Sequence, residues 1–151
     1  MKSIFVISIA SPILVGIYED GKLLETISKE GMTSDVLPLI IRDILQKQSI
    51  DELIYVNGPG SYMAIKIAYI FLKTISITNQ IPLKAVEGFN VNNNTPIKAL
   101  GKKYFIKKDD EIIVDFISEE TKLKNFSLPH NLNSLSILKD ELPEYHLPAI
   151  T

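Results

Sequence analysis

The residues of this chain best suited to chemistry stand together at 57–67, reading Asn-Gly-Pro-Gly-Ser-Tyr-Met-Ala-Ile-Lys-Ile. Gly58 and Gly60 permit positive φ and close backbone approach, Pro59 stiffens the turn, and Ser61 is suited to capping a helix. A turn of this kind leaves unpaired amides at a helix N-terminus, where a phosphate can bind. No Lys or acidic metal ligand follows at phosphate-loop spacing. A tight strand-to-helix connection is therefore the preferred reading, with a phosphate cradle as the sharper alternative. Ser61 is not placed as a nucleophile, because the Gly-x-Ser-x-Gly elbow is absent. The two histidines, His130 and His146, lie far away in a Pro-rich tail without paired ligand spacing. No zinc site, other metal site or histidine base is expected. Cysteine is absent, which excludes a disulfide framework and thiolate metal sites and suits the cytoplasm.

Several elements must hold this turn. The apolar run 53–56 before it reads as a strand, and the segment 61–79 after it as a helix. Residues 2–10 form a β-branched run that fits a strand buried on both faces. A second strand at 12–18 meets a third at 23–28 across a hairpin with Asp20-Gly21 at its centre. Gly31 breaks the pattern, and Thr33 or Ser34 is expected to cap a helix reaching about Gln48, with Pro38 in its first turns. Strands at 51–56 and 81–86 complete the order βββαβαβ, one α/β layer on a mixed five-stranded sheet. The polar loop 90–96 is the best internal boundary. Residues 1–90 are expected to form one lobe. Residues 91–151 are expected to form an abbreviated second lobe, with strands near 97–100, 103–107 and 111–117, then a Pro-rich tail with one short helix around 135–141.

Composition narrows the function classes. The chain has 151 residues and is 46% apolar, enough for one domain with a real core; a chain of this length buries about 70% of its unfolded surface. A formal charge of −2 supplies no basic field for nucleic acid or an anionic membrane. Lys102, Lys103, Lys107 and Lys108 are answered at once by Asp109, Asp110 and Glu111, the pattern of a solvated hairpin tip. The start of the chain reads as a strand rather than a signal peptide. No apolar run approaches the roughly 20 residues that span a bilayer.

Both helices are apolar over more than one face. In 61–79, Ala64, Ile67, Ala68, Phe71 and Ile75 form a stripe expected to pack on the sheet. Ile65, Tyr69, Leu72 and Ser76 form a second, rotated stripe. Such a helix is either sandwiched within the fold or covered by a partner, and the short chain favours a partner.

These residues resemble the TsaB (YeaZ) family, actin-like subunits of the bacterial apparatus that makes threonylcarbamoyladenosine in tRNA. The family's Gly-Pro-Gly-Ser-Phe-Thr-Gly-Leu-Arg-Ile turn and Ile-Pro-Leu strand are matched by residues 58–67 and by Ile81-Pro82-Leu83. Ser34-Asp35-Val36-Leu37-Pro38-Leu39-Ile40 is similar to the family's first helix start. The likeness covers residues 1 to about 87 and fades past Thr95. It implies an RNase H-like/actin-like lobe acting as a non-catalytic scaffold beside the related catalytic subunit, TsaD. A TsaE-like ATPase would belong to the same apparatus, with ATP and metal on the partners, no cofactor on this chain, and tRNA touched only indirectly. The resemblance implies a helix-pair interface with a second copy or with the TsaD-like subunit. Its expected hot spots are Tyr62, Ile65, Tyr69 and Leu72, with Leu37, Ile41 and Leu45 from the first helix and Lys66 and Lys73 at the rim. Departures point further from catalysis. Ser8 stands where actin-fold phosphotransferases carry a metal-positioning Asp, and Met63, Ala64 and Lys66 replace Thr, Gly and Arg. The rivals are an actin-fold small-molecule kinase or nucleotide-binding protein, and a stand-alone homodimeric regulator.

Overall fold

Alternation in the first strand sets the whole architecture. In the computed structural model, which describes residues 1–145, β1 (Lys2–Ile7) sends Ile4 and Val6 into one core and Phe5 and Ile7 into another. Successive strand side chains point to opposite faces, so β1 must be covered on both sides. β2 (Ile13–Glu19) pairs with it antiparallel, and β3 (Lys22–Lys29) returns through a turn in which Asp20 and Gly21 both take positive φ. That is the primed hairpin geometry Asp-Gly favours.

α1 (Thr33–Lys47) leads to β4 (Glu52–Val56), parallel to β1. α2 (Tyr62–Asn79) then leads to β5 (Leu83–Val86), parallel to β4. The order across the sheet is β3-β2-β1-β4-β5. α1 and α2 pack on one face, where Leu37, Ile41, Ala68 and Leu72 meet Ile4, Val6 and Val15. The expected cap of α1 is corrected: Met32 holds the N-cap position and makes no side-chain cap bond, so Thr33 and Ser34 already lie within the first turn. A second, three-stranded antiparallel sheet is built from β6 (Ile97–Lys98), β7 (Tyr104–Lys108) and β8 (Glu111–Asp115). Phe105 is fully buried beneath it, beside Phe89 and Ile97.

The tail supplies what the short chain otherwise lacks. Phe126, Leu128, Leu132 and Leu135 cover the second face of the five-stranded sheet, and the Tyr18 hydroxyl donates to the Pro129 carbonyl at 2.7 Å. The chain then passes the β5 edge, where the Leu138 amide donates to the Ala85 carbonyl at 2.8 Å. Covering an edge strand in this way removes a site for intermolecular pairing. The helix expected around 135–141 is absent; the segment is irregular, and a single 3₁₀ turn lies earlier in the tail, at Leu132–Ser134. Leu-Pro punctuation and the pairing with Ala85 hold it in that form. Among the described residues no helix is long and apolar enough to cross a membrane.

Candidate functional site: the glycine-rich turn and the outward face of α2

β4 ends at Val56, and the Asn57 amide donates to the Val86 carbonyl at 3.1 Å, so the turn starts from a fixed position. Gly58 has φ +131° and precedes a cis peptide to Pro59. A Cβ built on Gly58 would lie 2.2 Å from the Glu144 carbonyl oxygen, and one on Gly60 3.2 Å from Ile9 Cβ. The close approach that demands glycine at 58 is therefore made by the chain's own tail. The Glu144 amide donates to the Asn57 carbonyl at 2.9 Å, and Asn57 Nδ2 donates to the Leu142 carbonyl at 2.8 Å. Ser61 acts as a cap, accepting from the Ala64 amide at 3.4 Å. This is the tight connection of the simpler reading, sealed by residues 142–144.

Beside the turn lies a charged cluster. Glu87 is ion-paired with Lys107. Burial first, and then hydrogen bonding with Glu87, push the Glu144 carboxyl up to about 8. Lys107 opposes that shift and Asp140 adds to it. A buried carboxyl beside another carboxyl group favours its protonated form, which is the sense of the Glu144 shift. Among the described residues no group of three or more His, Asp or Glu could hold a metal ion. His130 uses its carbonyl to accept from the Leu23 amide, and His146 lies outside the described residues.

The expected interface must be redrawn. Leu37, Ile41, Ile65 and Leu72 are each 0% exposed and belong to the chain's own core. They cannot form a surface for another polypeptide without unfolding the lobe. Leu45 is half-buried in a groove between the helices with Phe71 and Ile75. Tyr69 leans on Tyr55 with ring centroids 6.3 Å apart, and Tyr62 on Tyr145 at 4.5 Å. Lys73 pairs with Glu141 of the tail at 2.7 Å. Of the nine residues, only Lys66 stands exposed. The stripe expected to meet the sheet is also rotated: Ala68 does so, but Ala64, Ile67, Phe71 and Ile75 are only half-buried.

The physical reason is the composition of α2, which is apolar nearly all round and has no acidic residue. Such a helix has no strong phase of its own, and tertiary contacts choose it. Ile65, Ala68, Leu72 and Ser76 turn inward, and the Ser76 hydroxyl donates to the Ile81 carbonyl at the helix end. That rotation leaves Met63, Ile70 and Ile77 at 56%, 52% and 67% exposure, with Ile67 and Thr74 on the same face. The spacing 63, 67, 70, 74, 77 alternates four and three, the period of a seam that packs against another helix. Leu39 of α1, at 64% exposure, adds a further apolar side chain. This spacing was legible in the sequence as a four-three repeat; Lys66 and Lys73, interleaved with it, masked it.

No protein-family model matches the chain, and no curated protein matches it. Solved structures do. YeaZ from Pseudomonas aeruginosa is similar over 85% of this chain and 70% of that one, with 14% identity and a TM-score of 0.59. A second structure, described as an uncharacterised protein with similarity to peptidase YEAZ from Pseudomonas aeruginosa, matches over 99% of this chain and 70% of that one. Its identity and TM-score are the same, 14% and 0.59. A low identity over nearly the whole chain fits a divergent sequence on a shared scaffold. The resemblance read from residues 1–87 thus holds at the level of the fold: this chain has the mixed-sheet, actin-like fold of YeaZ.

Proposed function

We propose that this protein is a non-catalytic scaffold subunit of a tRNA threonylcarbamoyladenosine-forming apparatus, docking through the outward face of α2 onto a TsaD-like catalytic subunit. The observation that carries this reading is the seam of exposed Met63, Ile70 and Ile77, with half-buried Ile67 and exposed Thr74 between them, on a YeaZ-like fold. Exposed apolar residues at four-three spacing are costly in water and gain by packing against a facing helix. Lys66 lies exposed beside the seam, and α2 carries no acid of its own, so the facing helix should be apolar with an acidic rim. In this reading ATP, metal and the threonylcarbamoyl-adenylate sit on partner proteins, including a TsaE-like ATPase. This chain holds the catalytic subunit in its working orientation.

The test is association with the TsaD-like protein of the same organism, followed by size-exclusion chromatography and by restoration of tRNA modification. Ile70→Glu and Ile77→Glu should each weaken the complex by at least about tenfold, the effect of a hot-spot loss, while leaving the free protein folded. A complex unchanged by both substitutions rejects the docking face. A chain that forms only a homodimer through this seam, and never the mixed complex, rejects the TsaD-like partner while retaining the seam.

A further inference from the structure

A second feature of the helix layer adjoins the docking seam, sharing Met63 and Ile67 with it, and is read separately from it. β1 alternates, so after Ile4 and Val6 the next side chain on the helix side is Ser8. Ser8 is 4% exposed, and its hydroxyl finds no hydrogen-bond partner among the described residues. A buried polar atom without a partner is costly and calls for a specific cause. Ser8 lines a hollow of about 260 Å³ that is also bounded by Met32, Thr33 and Ser34 at the start of α1 and by Ser61 and Met63 at the start of α2.

Both helices therefore open into the same hollow. α1 has 15 residues and α2 has 18, and Met32 gives α1 no side-chain cap. The first amides of a helix have no intrahelical acceptor, and the helix dipole places partial positive charge there. In α1 these are the amides of Thr33 and Ser34. In α2 they are those of Tyr62 and Met63, since the Ser61 hydroxyl is taken by Ala64. The opening residues of both helices line one hollow together with Ser8, whose buried hydroxyl is unsatisfied.

We propose that this hollow is an oxyanion site that takes a phosphate group, either as the free ion or as the end of a small monoester. Ser8 would donate its hydroxyl proton to a phosphate oxygen, and the opening amides of α1 and α2 would donate to the others. Nearby negative charge sets the strength. The Glu30 carboxylate accepts from Ser11 at 2.5 Å, and Asp35 lies in the first turn of α1. With no cation in the hollow's lining and two acids nearby, a Kd on the order of 1 mM is expected.

The test is an amide NMR titration of the intact protein with inorganic phosphate and, separately, with glycerol phosphate, each against chloride at matched ionic strength. Saturable shifts confined to the amides of 33–34 and 61–63 support the site, and tighter binding of the monoester identifies an esterified ligand as the better fit. Ser8→Ala should weaken binding about tenfold, what one hydrogen bond to a charged group contributes. It should not harm folding, because it removes a buried hydroxyl that has no partner to lose. Glu30→Gln should tighten binding about threefold by removing a repulsive charge. Equal shifts with chloride, an absence of saturation, or an unaltered response in Ser8→Ala would each overturn the proposal. None of these outcomes bears on the docking seam, which is read by complex formation.

Discussion

The two flanks of α2 have nearly the same chemistry and opposite fates. On one, Tyr62 and Lys73 are closed over by Tyr145 and Glu141 of the tail, and Tyr69 rests on the buried Tyr55 of β4. On the other, Met63, Ile70 and Ile77 remain open. What separates them is the path of the tail, which rounds the β5 edge through Leu138 and reaches only the flank beside the glycine-rich turn. A surface's apolar character thus does not say whether it is an interface. The reach of distant covalent chain decides which apolar surface is left for a partner.

The largest test of this contrast sets an inward residue against an outward one. Leu72→Ala, in the closed core, should cost about 2–5 kcal/mol of unfolding free energy. Ile70→Ala, on the open flank, should change it by about 0.5 kcal/mol or less. Denaturant unfolding of the two variants side by side checks the difference, and equal losses would mean that the open flank is covered in solution.

A smaller effect is expected where the tail seals the turn. Gly58→Ala places a Cβ against the Glu144 carbonyl and strains a φ of +131°, so a loss of about 1–3 kcal/mol is expected. Proteolysis near 140 should accelerate in that variant, since the seal would open before the core. A loss without any change in cleavage would place the strain in the turn alone.

The gentlest probe is pH. Glu144 has its folded pKa raised to about 8 from an ordinary 4.5, so between these values the folded state binds more protons than the unfolded. Unfolding free energy therefore falls as pH rises from about 5 to 8 and levels off above. Thermal melts across this range should show the decline in the parent and a smaller one in Glu144→Gln. Both retain Glu87, Lys107 and Asp140, so the difference reports the carboxyl at 144 together with its coupling to Glu87.

Much of the lobe was legible from residue types. Asp20-Gly21 marked its hairpin, and the apolar run before Gly58 and the cap at Ser61 marked the strand-to-helix turn. The elements of 1–86 follow in the expected order because local period and turn chemistry agree along that stretch. The site was less legible. Leu37, Ile41, Ile65 and Leu72 looked available because apolar residues surround them on their own helices. Ser8 looked only like a missing carboxylate until the two helix ends were seen to meet beside it.

The sequence by itself determined the elements, their order and the positions where only glycine serves, because these depend on backbone stereochemistry and short-range periodicity. Tertiary structure alone decided the rotation of α2 and the covering of the sheet's second face. A helix apolar on every side is nearly indifferent to rotation, so contacts with Ile4, Tyr55 and residues more than 60 positions away in the tail select the face that stays in water.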